Sequence, residues 1–388
     1  FQVEQFAGMV EALTAAATFP VSVVGPLKVS LGRYHLGEDG ELIEEGREIE
    51  QLLVPLAHTE GGLSASMHRG MSAVLKGQPV TTHVVSDRIT RDSCFLFEST
   101  DQAQTFARWI GDQVTSIKEW LHDERNPLHS ERLGGVPRLS RHARLWEIDT
   151  HVLGATCHVL YRYTTGDACG PNMITRNSYA INTEFILRRF PPMCGYEPQR
   201  VLVEANMGGD KKPSGMYFTS GGHGKTVVAG VQVTNHVLRR VLHTTSDDLV
   251  ALEHLALHGT LASGMQSAAF TPASAVAAIF AATGQDLGMV ATSSMAQDTL
   301  DRLGDGVHLA IRFPGLEVGT VGGGTGLPHA RALLGLLGCL KPGGSLRLAQ
   351  IVASAALCLE LSAAAAAASA GSRDFVAAHT RQSGRSAL

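Results

Sequence analysis

The segment GGDKKPSG, residues 208–215, places Asp210, Lys211 and Lys212 side by side between glycines. Charges among Gly, Pro and Ser are by themselves typical of a solvated turn. A lysine gains a chemical role where a site directs its ammonium at an oxygen on which negative charge develops, and nearby carboxylates keep it protonated. The chemical interpretation therefore requires carboxylates and a proton donor elsewhere in the chain.

Three other segments supply such groups. Glu60 lies in the turn TEGG ahead of a helical pattern, Asp286 follows a helical stretch in ATGQD, and His379 lies in FVAAH near the C-terminus. Taken singly, they are typical of a solvated glutamate, a helix cap and a tail histidine. With Lys211 they provide an acid, a cation, a carboxylate that tunes the cation, and a mobile proton donor.

Three further motifs are similar to known phosphate, nucleotide or metal motifs but do not match them. GGHGKT at 221–226 is not a phosphate loop, because the required first glycine falls on Thr219. The run GTVGGGTGLP at 319–328 does not satisfy G-x-G-x-x-G, so a non-Rossmann nucleotide loop and a tight packing turn both stay open. His254 and His258 lack the glutamate of HExxH and are interpreted as a surface or packing pair, so no metal is expected.

The elements that must position these residues fall into three regions. Residues 1–90 mix short β-prone runs with a helical pattern formed by Leu63, Met67, Met71 and Val74. Residues 92–200 combine an amphipathic segment at about 102–121, a polar connector at 126–141 and alternating strand-like residues, which indicates a smaller inserted α+β domain. From residue 201 onward, strands flank the lysine loop and helices rich in Ala and Leu follow.

Composition excludes several classes of protein. The 388 residues are 44% hydrophobic and 18% charged with a formal net charge of -4, which fits a globular protein of two domains and argues against nucleic-acid or membrane-surface partners. The stretch 351–371 is apolar but contains Glu360, and we interpret it as a buried helix. No signal peptide is recognised, and a cytoplasmic location is expected since six cysteines show no paired spacing: Cys94, Cys157, Cys169, Cys194, Cys339 and Cys358.

In this order, the segments resemble the 3-hydroxy-3-methylglutaryl-coenzyme A reductase family from about Phe19 to His379. The resemblance rests on FPVSVVGPL, TEGGLSASMHRG, GDACGPNM, DKKPS, ATGQD, GTVGGGTGLP and AAH. It implies an α+β fold with a large helix-rich substrate and coenzyme A domain (1–91 and 202–370), an inserted small ferredoxin-like, non-Rossmann NAD(P)-binding domain (92–201) and a C-terminal flap (371–388). It also implies a homo-oligomer, a dimer or dimer of dimers, with active sites between subunits.

The same resemblance assigns roles to individual residues. Glu60, Lys211, Asp286 and His379 match the catalytic residues, and Arg91, Asp210, Lys212 and Ser274 match the substrate-binding positions. Coenzyme A is expected at Ser66, His68 and Arg69. The cofactor-binding positions are Ser140, Arg141, Gly166, Asp167, Asn172, Met173, Gly322, Gly323 and Gly324, and LSRHARL favours NADPH over NADH.

The implied chemistry is a four-electron reduction of an acyl-CoA substrate to mevalonate and free coenzyme A. Two hydrides pass through a hemithioacetal and an aldehyde, and Lys211, kept charged by Asp286, stabilises each oxyanion. Glu60, if burial keeps it neutral, supplies a proton to the aldehyde oxygen, and His379 protonates the departing thiolate. A mobile flap suits cofactor exchange between the hydride steps.

The chain departs from the family pattern near the substrate. Thr271–Ser274 stands where the family has HAAN, so Ser274 occupies the asparagine position, and His68 replaces an asparagine. Cys169 and Pro171 replace methionines in GDACGPNM. Two alternatives therefore stay open: reduction of a different acyl thioester in specialised metabolism, and a non-catalytic nucleotide-binding relative.

Overall fold

A computed structural model describes residues 6, 10–221 and 223–380. The strands are β1 Val21–Leu36, β2 Leu42–Ala57, β3 Val80–Leu96, β4 Arg132–Leu133, β5 Val136–Pro137, β6 Arg144–Leu153, β7 Thr156–Thr164, β8 Arg200–Leu202, β9 Gly224–Thr234, β10 Gln297–Arg302 and β11 Gly306–Leu316. The α-helices are α1 Leu63–Leu75, α2 Thr100–His122, α3 Pro171–Ala180, α4 Leu187–Cys194, α5 Met216–Ser220, α6 Asn235–Val237, α7 Ser246–Ser263, α8 Pro272–Thr283, α9 Val290–Ser293, α10 Pro328–Leu336, α11 Gly344–Ala368 and α12 Arg373–Thr380.

The main sheet runs in the order β10-β11-β9-β3-β1-β2. Its neighbours are antiparallel except β1 and β3, which pair in parallel. The short β-prone runs predicted before residue 60 are two 16-residue strands of one long hairpin. The sequence predicted strands that are too short. The first half of β2 is rich in charged residues and lacks the alternating hydrophobic pattern by which a strand is recognised.

β3 joins the two parts of the fold. Its first half pairs with β9, and its second half pairs with β7 and β8. Burial alternates in the first half and is nearly continuous from residue 87 onward, as expected where a strand is covered on both faces. Arg91 lies in the covered half, so the strand carries a charged side chain into the junction between the two parts.

The large hydrophobic core surrounds α11, which is buried along most of its length. It packs against α1, and the four residues of the predicted helical pattern, Leu63, Met67, Met71 and Val74, are all buried. By length and composition α11 is apolar enough to cross a membrane, yet 83% of its most apolar window is buried inside the protein. The interpretation of this stretch as a buried helix is confirmed.

A second, separate hydrophobic core is built from residues between Ile89 and Val201. The amphipathic segment predicted at 102–121 is α2, which begins behind the Ser99 cap and packs against β6. The strand-like residues form the β6–β7 hairpin, and the polar connector contains the small β4–β5 hairpin. The mixed α+β class is confirmed; the ferredoxin-like description and the domain boundaries stay predictions.

Candidate active site

The structure brings Lys211 and Asp286 together. Nζ of Lys211 lies 2.7 Å from Oδ2 of Asp286, and each side chain is about half exposed. Lys211 has a left-handed backbone with φ of 56°, which turns its side chain out of the loop. Asp286 caps the turn 287–289 because its Oδ1 accepts the amide of Gly288 at 2.8 Å. The left-handed backbone of Lys211 and the capping hydrogen bond of Asp286 thus accompany the contact between the ammonium and the carboxylate.

Both members of this pair are charged at neutral pH. The hydrogen bond to Asp286 raises the pKa of Lys211, and this effect outweighs partial burial. Burial raises the pKa of Asp286, but the hydrogen bonds from Lys211 and from the Gly288 amide leave that pKa below its ordinary value. The pair therefore presents a persistent ammonium at the protein surface.

Arg91 and Asp210 lie beside this pair. The Arg91 side chain is 5% exposed and bridges Glu204 and Asp210, with Nη2 3.1 Å from Oδ2 of Asp210. Lys212 is exposed, and its Nζ donates to Oδ1 of Asn206 at 2.7 Å. Arg91 and Asp210, two of the predicted substrate-binding residues, are thus joined by an ion pair. The ammonium of Lys212, a third, contacts the side-chain amide of Asn206.

Two buried hydroxyls hold the lysine loop in place. Tyr217 donates to the carbonyl of Gly209 at 2.6 Å, and Thr90 donates to the carbonyl of Gly208 at 2.7 Å. Gly209 has a φ of 74°, and a Cβ there would collide with the Tyr217 hydroxyl. The glycines flanking the charges therefore allow a tight turn that is bonded to β3 and α5.

Three buried charged or titratable residues beside the loop were missed from the sequence. His223 and Glu317 have fully buried side chains, and Nε2 of His223 lies 3.5 Å from Oε2 of Glu317 and 4.0 Å from Oδ1 of Asp210. Lys225 is buried as well and lies 3.3 Å from Asp87. His223 lies in GGHGKT, which does not match a phosphate loop and gives no sign of burial. Glu317 could have been recognised as buried, because it is a single glutamate in the apolar stretch FPGLEVG.

Burial shifts the protonation of the His223 and Glu317 side chains. It raises the pKa of Glu317 well above its ordinary value, and the nearby charge of Asp210 acts in the same direction. Burial lowers the pKa of His223, so its imidazole is neutral at pH 7. Perturbed groups of this kind cluster at functional sites.

Glu60 stands apart from the lysine in this single chain. It is exposed in the turn between β2 and α1 and makes no hydrogen bond or ion pair with any residue that the structure describes. The burial expected for Glu60 is therefore not provided by this chain alone.

His379 lies exposed on α12, where its Nδ1 contacts the carbonyl of Phe375 at 2.8 Å. The pair His243–Asp374, at 3.3 Å, links α12 to the body of the protein. Residues 381–388 of the predicted flap lie outside the described residues.

The predicted cofactor loops lie against each other. The carbonyl of Asp167 accepts the amides of Thr320 and Val321 at 2.7 and 3.2 Å, which holds the glycine run beside residues 166–169. Added Cβ atoms at Gly322 and Gly323 would meet nothing within 4 Å, whereas one at Gly324 would collide with Gly284. The Asp167 carboxylate accepts the amides of Gly343 and Ser345, so this side chain anchors the start of α11.

The remaining cofactor candidates gather around α3. Asn172 is exposed and Met173 half-buried in its first turn, and Gly166 lies exposed just before it. The amide of buried Ser140 donates to Oδ1 of Asn177 on α3 at 2.8 Å, which leaves Arg141 exposed next to it.

The coenzyme A candidates lie on α1, and Ser274 lies on α8. Ser66 and Arg69 both contact Oγ of Ser362 on α11, at 2.9 and 3.0 Å, while His68 is exposed. Ser274 is half-buried, and its hydroxyl makes no side-chain hydrogen bond within the described ranges. The contacts of Ser66 and Arg69 with Ser362 thus join α1 to α11.

Comparison with known proteins points to one family. The family model described as hydroxymethylglutaryl-coenzyme A reductase matches residues 1–383. A 3-hydroxy-3-methylglutaryl-coenzyme A reductase from Aeropyrum pernix is 33% identical over 364 residues, covering 92% of this chain and 78% of the relative. The enzyme of the same name from Methanocaldococcus jannaschii is 32% identical over 356 residues, covering 91% and 80%.

A solved structure shares the fold. The class II 3-hydroxy-3-methylglutaryl-CoA reductase from Streptococcus pneumoniae, bound to NADPH in open conformations, superposes with a TM-score of 0.67. Sequence identity is 16%, and the match covers 94% of this chain and 89% of the other. At that identity the likeness is one of architecture.

Proposed function

The chain belongs to the hydroxymethylglutaryl-coenzyme A reductase family, and from this premise we propose that it reduces (S)-3-hydroxy-3-methylglutaryl-CoA to mevalonate and free coenzyme A with two NADPH. The observation that carries the proposal is the half-exposed Lys211–Asp286 ion pair of 2.7 Å. NADPH supplies the hydrides. Each delivery leaves an oxyanion, and the Lys211 ammonium stabilises it.

The substrate's free carboxylate is proposed to lie near Arg91 and Lys212. Arg91 is already shared between two carboxylates, so its main effect is to hold Asp210 in place. Lys212 has a neutral amide as its partner, so a substrate carboxylate can replace that contact with an ion pair.

NADPH is proposed to lie across the glycine loop and the start of α3. The open space at Gly322 and Gly323 lets backbone amides approach a pyrophosphate, and Gly166, Asp167, Asn172 and Met173 border the same loop pair. Arg141 has an exposed guanidinium beside the anchored Ser140, which suits the extra phosphate of NADPH.

A second subunit is proposed to complete the site. The outer faces of β1 and β2 expose Val21, Val23 and Leu53 at about half of their possible area, just before the Glu60 turn. Burying this apolar surface against another copy favours association and would enclose Glu60 next to a partner site. In that arrangement Glu60 protonates the aldehyde oxygen and His379 the departing thiolate. All six cysteines are free, which supports the proposed cytoplasmic location.

The test is NADPH oxidation with hydroxymethylglutaryl-CoA, run beside NADH and with the variants Lys211→Ala and Glu60→Gln. We expect turnover with NADPH and a loss of about 10²–10³-fold in kcat for Lys211→Ala, as for removal of an oxyanion donor. Cofactor binding without oxidation, unchanged by Lys211→Ala, would identify a non-catalytic relative instead.

Thr271, Ser274 and His68 motivate a second candidate, reduction of another acyl thioester. Thr271 already bonds Glu360, so neither it nor Ser274 reproduces the side chains that the family presents there. A panel of acyl-CoA substrates separates the two functions. A preference of about tenfold or more in kcat/KM for another thioester, roughly 1.4 kcal/mol, would overturn the first.

A further inference from the structure

We propose that Asp210, His223 and Glu317 bind one divalent transition-metal ion, with Zn²⁺ the best fit, behind the lysine loop. One imidazole nitrogen and one oxygen from each carboxylate lie within 4.8 Å of one another. The residues come from the loop, from the residue before β9 and from the residue after β11, so the ion would join three elements.

The donor atoms of this cluster are buried without a hydrogen bond among the described residues: Nε2 of His223, Oδ1 of Asp210 and both carboxylate oxygens of Glu317. The Thr292 hydroxyl is the other polar group at Glu317, and it lowers the raised pKa of that carboxyl. Leaving a buried polar atom unsatisfied costs about 1–3 kcal/mol, and more for a charged group. One cation shared by the three side chains would satisfy them together.

The other atoms of the same side chains are already oriented. The amide of Thr90 donates to Nδ1 of His223 at 3.2 Å, and the Thr90 hydroxyl, which donates to the carbonyl of Gly208, lies 2.8 Å from the same nitrogen. A metal ion at Nε2 would require the other tautomer, in which Nδ1–H donates to the Thr90 hydroxyl oxygen. Oδ2 of Asp210 is held by Arg91. Outer contacts of this type fix the ligands of metal sites.

Charge balance favours a bound cation. The cations of this region are Arg91, Lys211, Lys212 and Lys225, and the carboxylates are Glu204, Asp210, Asp286, Asp87 and Glu317. One negative charge is left uncompensated when all five carboxylates are ionised. A bound metal ion would offset it without requiring protonation of Glu317.

The donor set selects the class of metal. Imidazole with carboxylates suits zinc better than magnesium or calcium, which prefer six or more oxygen ligands. Zinc bonds of about 2.0–2.2 Å require the three donor atoms to approach one another to roughly 3.4 Å in a tetrahedral site. Nε2 of His223 already lies 3.5 and 4.0 Å from the two carboxylates, and all three donor atoms lie within 4.8 Å of one another, so the site must contract by up to about 1.4 Å on binding the ion. The ion would position the loop that carries Lys211.

The experiment uses the full chain stripped with a chelator and then dialysed against Zn²⁺, with Mg²⁺ in parallel. Metal content and titration calorimetry are expected to give one Zn²⁺ per chain, a raised melting temperature and no comparable effect of Mg²⁺. His223→Gln and Glu317→Gln should each weaken Zn²⁺ binding by at least about tenfold. The control replaces the stacked pair His254 and His258 by glutamine, which should leave that binding unchanged.

Two results would overturn the proposal: no stoichiometric Zn²⁺ in the native chain, or Zn²⁺ binding that is undiminished in both His223→Gln and Glu317→Gln. The first would mean that a proton shared by His223 and Glu317 satisfies the cluster. If the variants do not fold, Co²⁺ added to the native chain decides. Strong visible absorption of a tetrahedral ion supports the site, and its absence rejects it.

Discussion

Lys211 and Asp286 form an ion pair of 2.7 Å although neither belongs to a regular helix or strand. A left-handed residue places the lysine, and a capping hydrogen bond places the aspartate. Because the two side chains are positioned independently, the geometry of the pair can be altered from either side.

Replacing Asp286 with Asn should lower the pKa of Lys211. In the native chain Asp286 raises that pKa above its ordinary value, so the ammonium persists throughout the accessible alkaline range. As pH rises, the activity of the variant should therefore begin to fall at a lower pH than that of the native enzyme. A pH–rate profile checks this, and parallel profiles for variant and native enzyme would contradict it.

Gly288→Ala should disturb the same pair without unfolding the chain. A Cβ at this position would lie 3.1 Å from Oδ1 of Asp286 and 3.3 Å from Nζ of Lys211. Displacement by a few tenths of an ångström should reduce kcat by about tenfold while the KM for NADPH is unchanged. Gly259→Ala is the matched control, because nothing lies within 4 Å of that Cβ.

His379→Gln should separate the two halves of the reaction. If the imidazole protonates the thiolate that leaves the hemithioacetal, the variant loses about 10²-fold or more in reduction of the thioester. Reduction of the free aldehyde releases no thiolate and should proceed at close to the native rate. An equal loss with both substrates would assign His379 to another step.

Glu360→Gln should change how stability depends on pH. Burial raises the pKa of Glu360 to about 7, with the charge of Asp298 adding to the effect. Its contribution to stability is complete below the unfolded pKa near 4.5 and is lost as pH rises through about 7. As pH rises from about 5 to 8, the melting temperature of the variant should increase by a few degrees relative to that of the native protein. A constant difference would show that Glu360 does not titrate in this range.

Gly70→Ala should destabilise the contact between α1 and α11. Its Cβ would lie 1.8 Å from the carbonyl oxygen of Cys358, and both residues are buried. Because backbone must move to relieve the clash, the free energy of unfolding should fall by about 2 kcal/mol or more. Denaturant titration checks this, again with Gly259→Ala, which should be neutral or slightly stabilising. Unchanged stability would mean that the two helices slide apart at little cost.

Local patterns in the sequence were sufficient for several elements. The spacing of Leu63, Met67, Met71 and Val74 identified the buried face of α1, and the alternation in HVLGATCHVLYRYTT, residues 151–165, indicated strands where the end of β6 and β7 lie. The order of the short motifs indicated the family. These features depend on neighbours within a few residues, so periodicity and residue type reveal them directly.

Tertiary structure alone decided which charges meet. The pairings Lys211–Asp286 and Arg91–Asp210, and the burial of His223 beside Glu317, join segments that are distant in the chain. It also showed that Glu60 does not contact Lys211 within one subunit. A side chain's electrostatic role depends on the distances, burial and partners that packing creates, and none of these is encoded in local spacing.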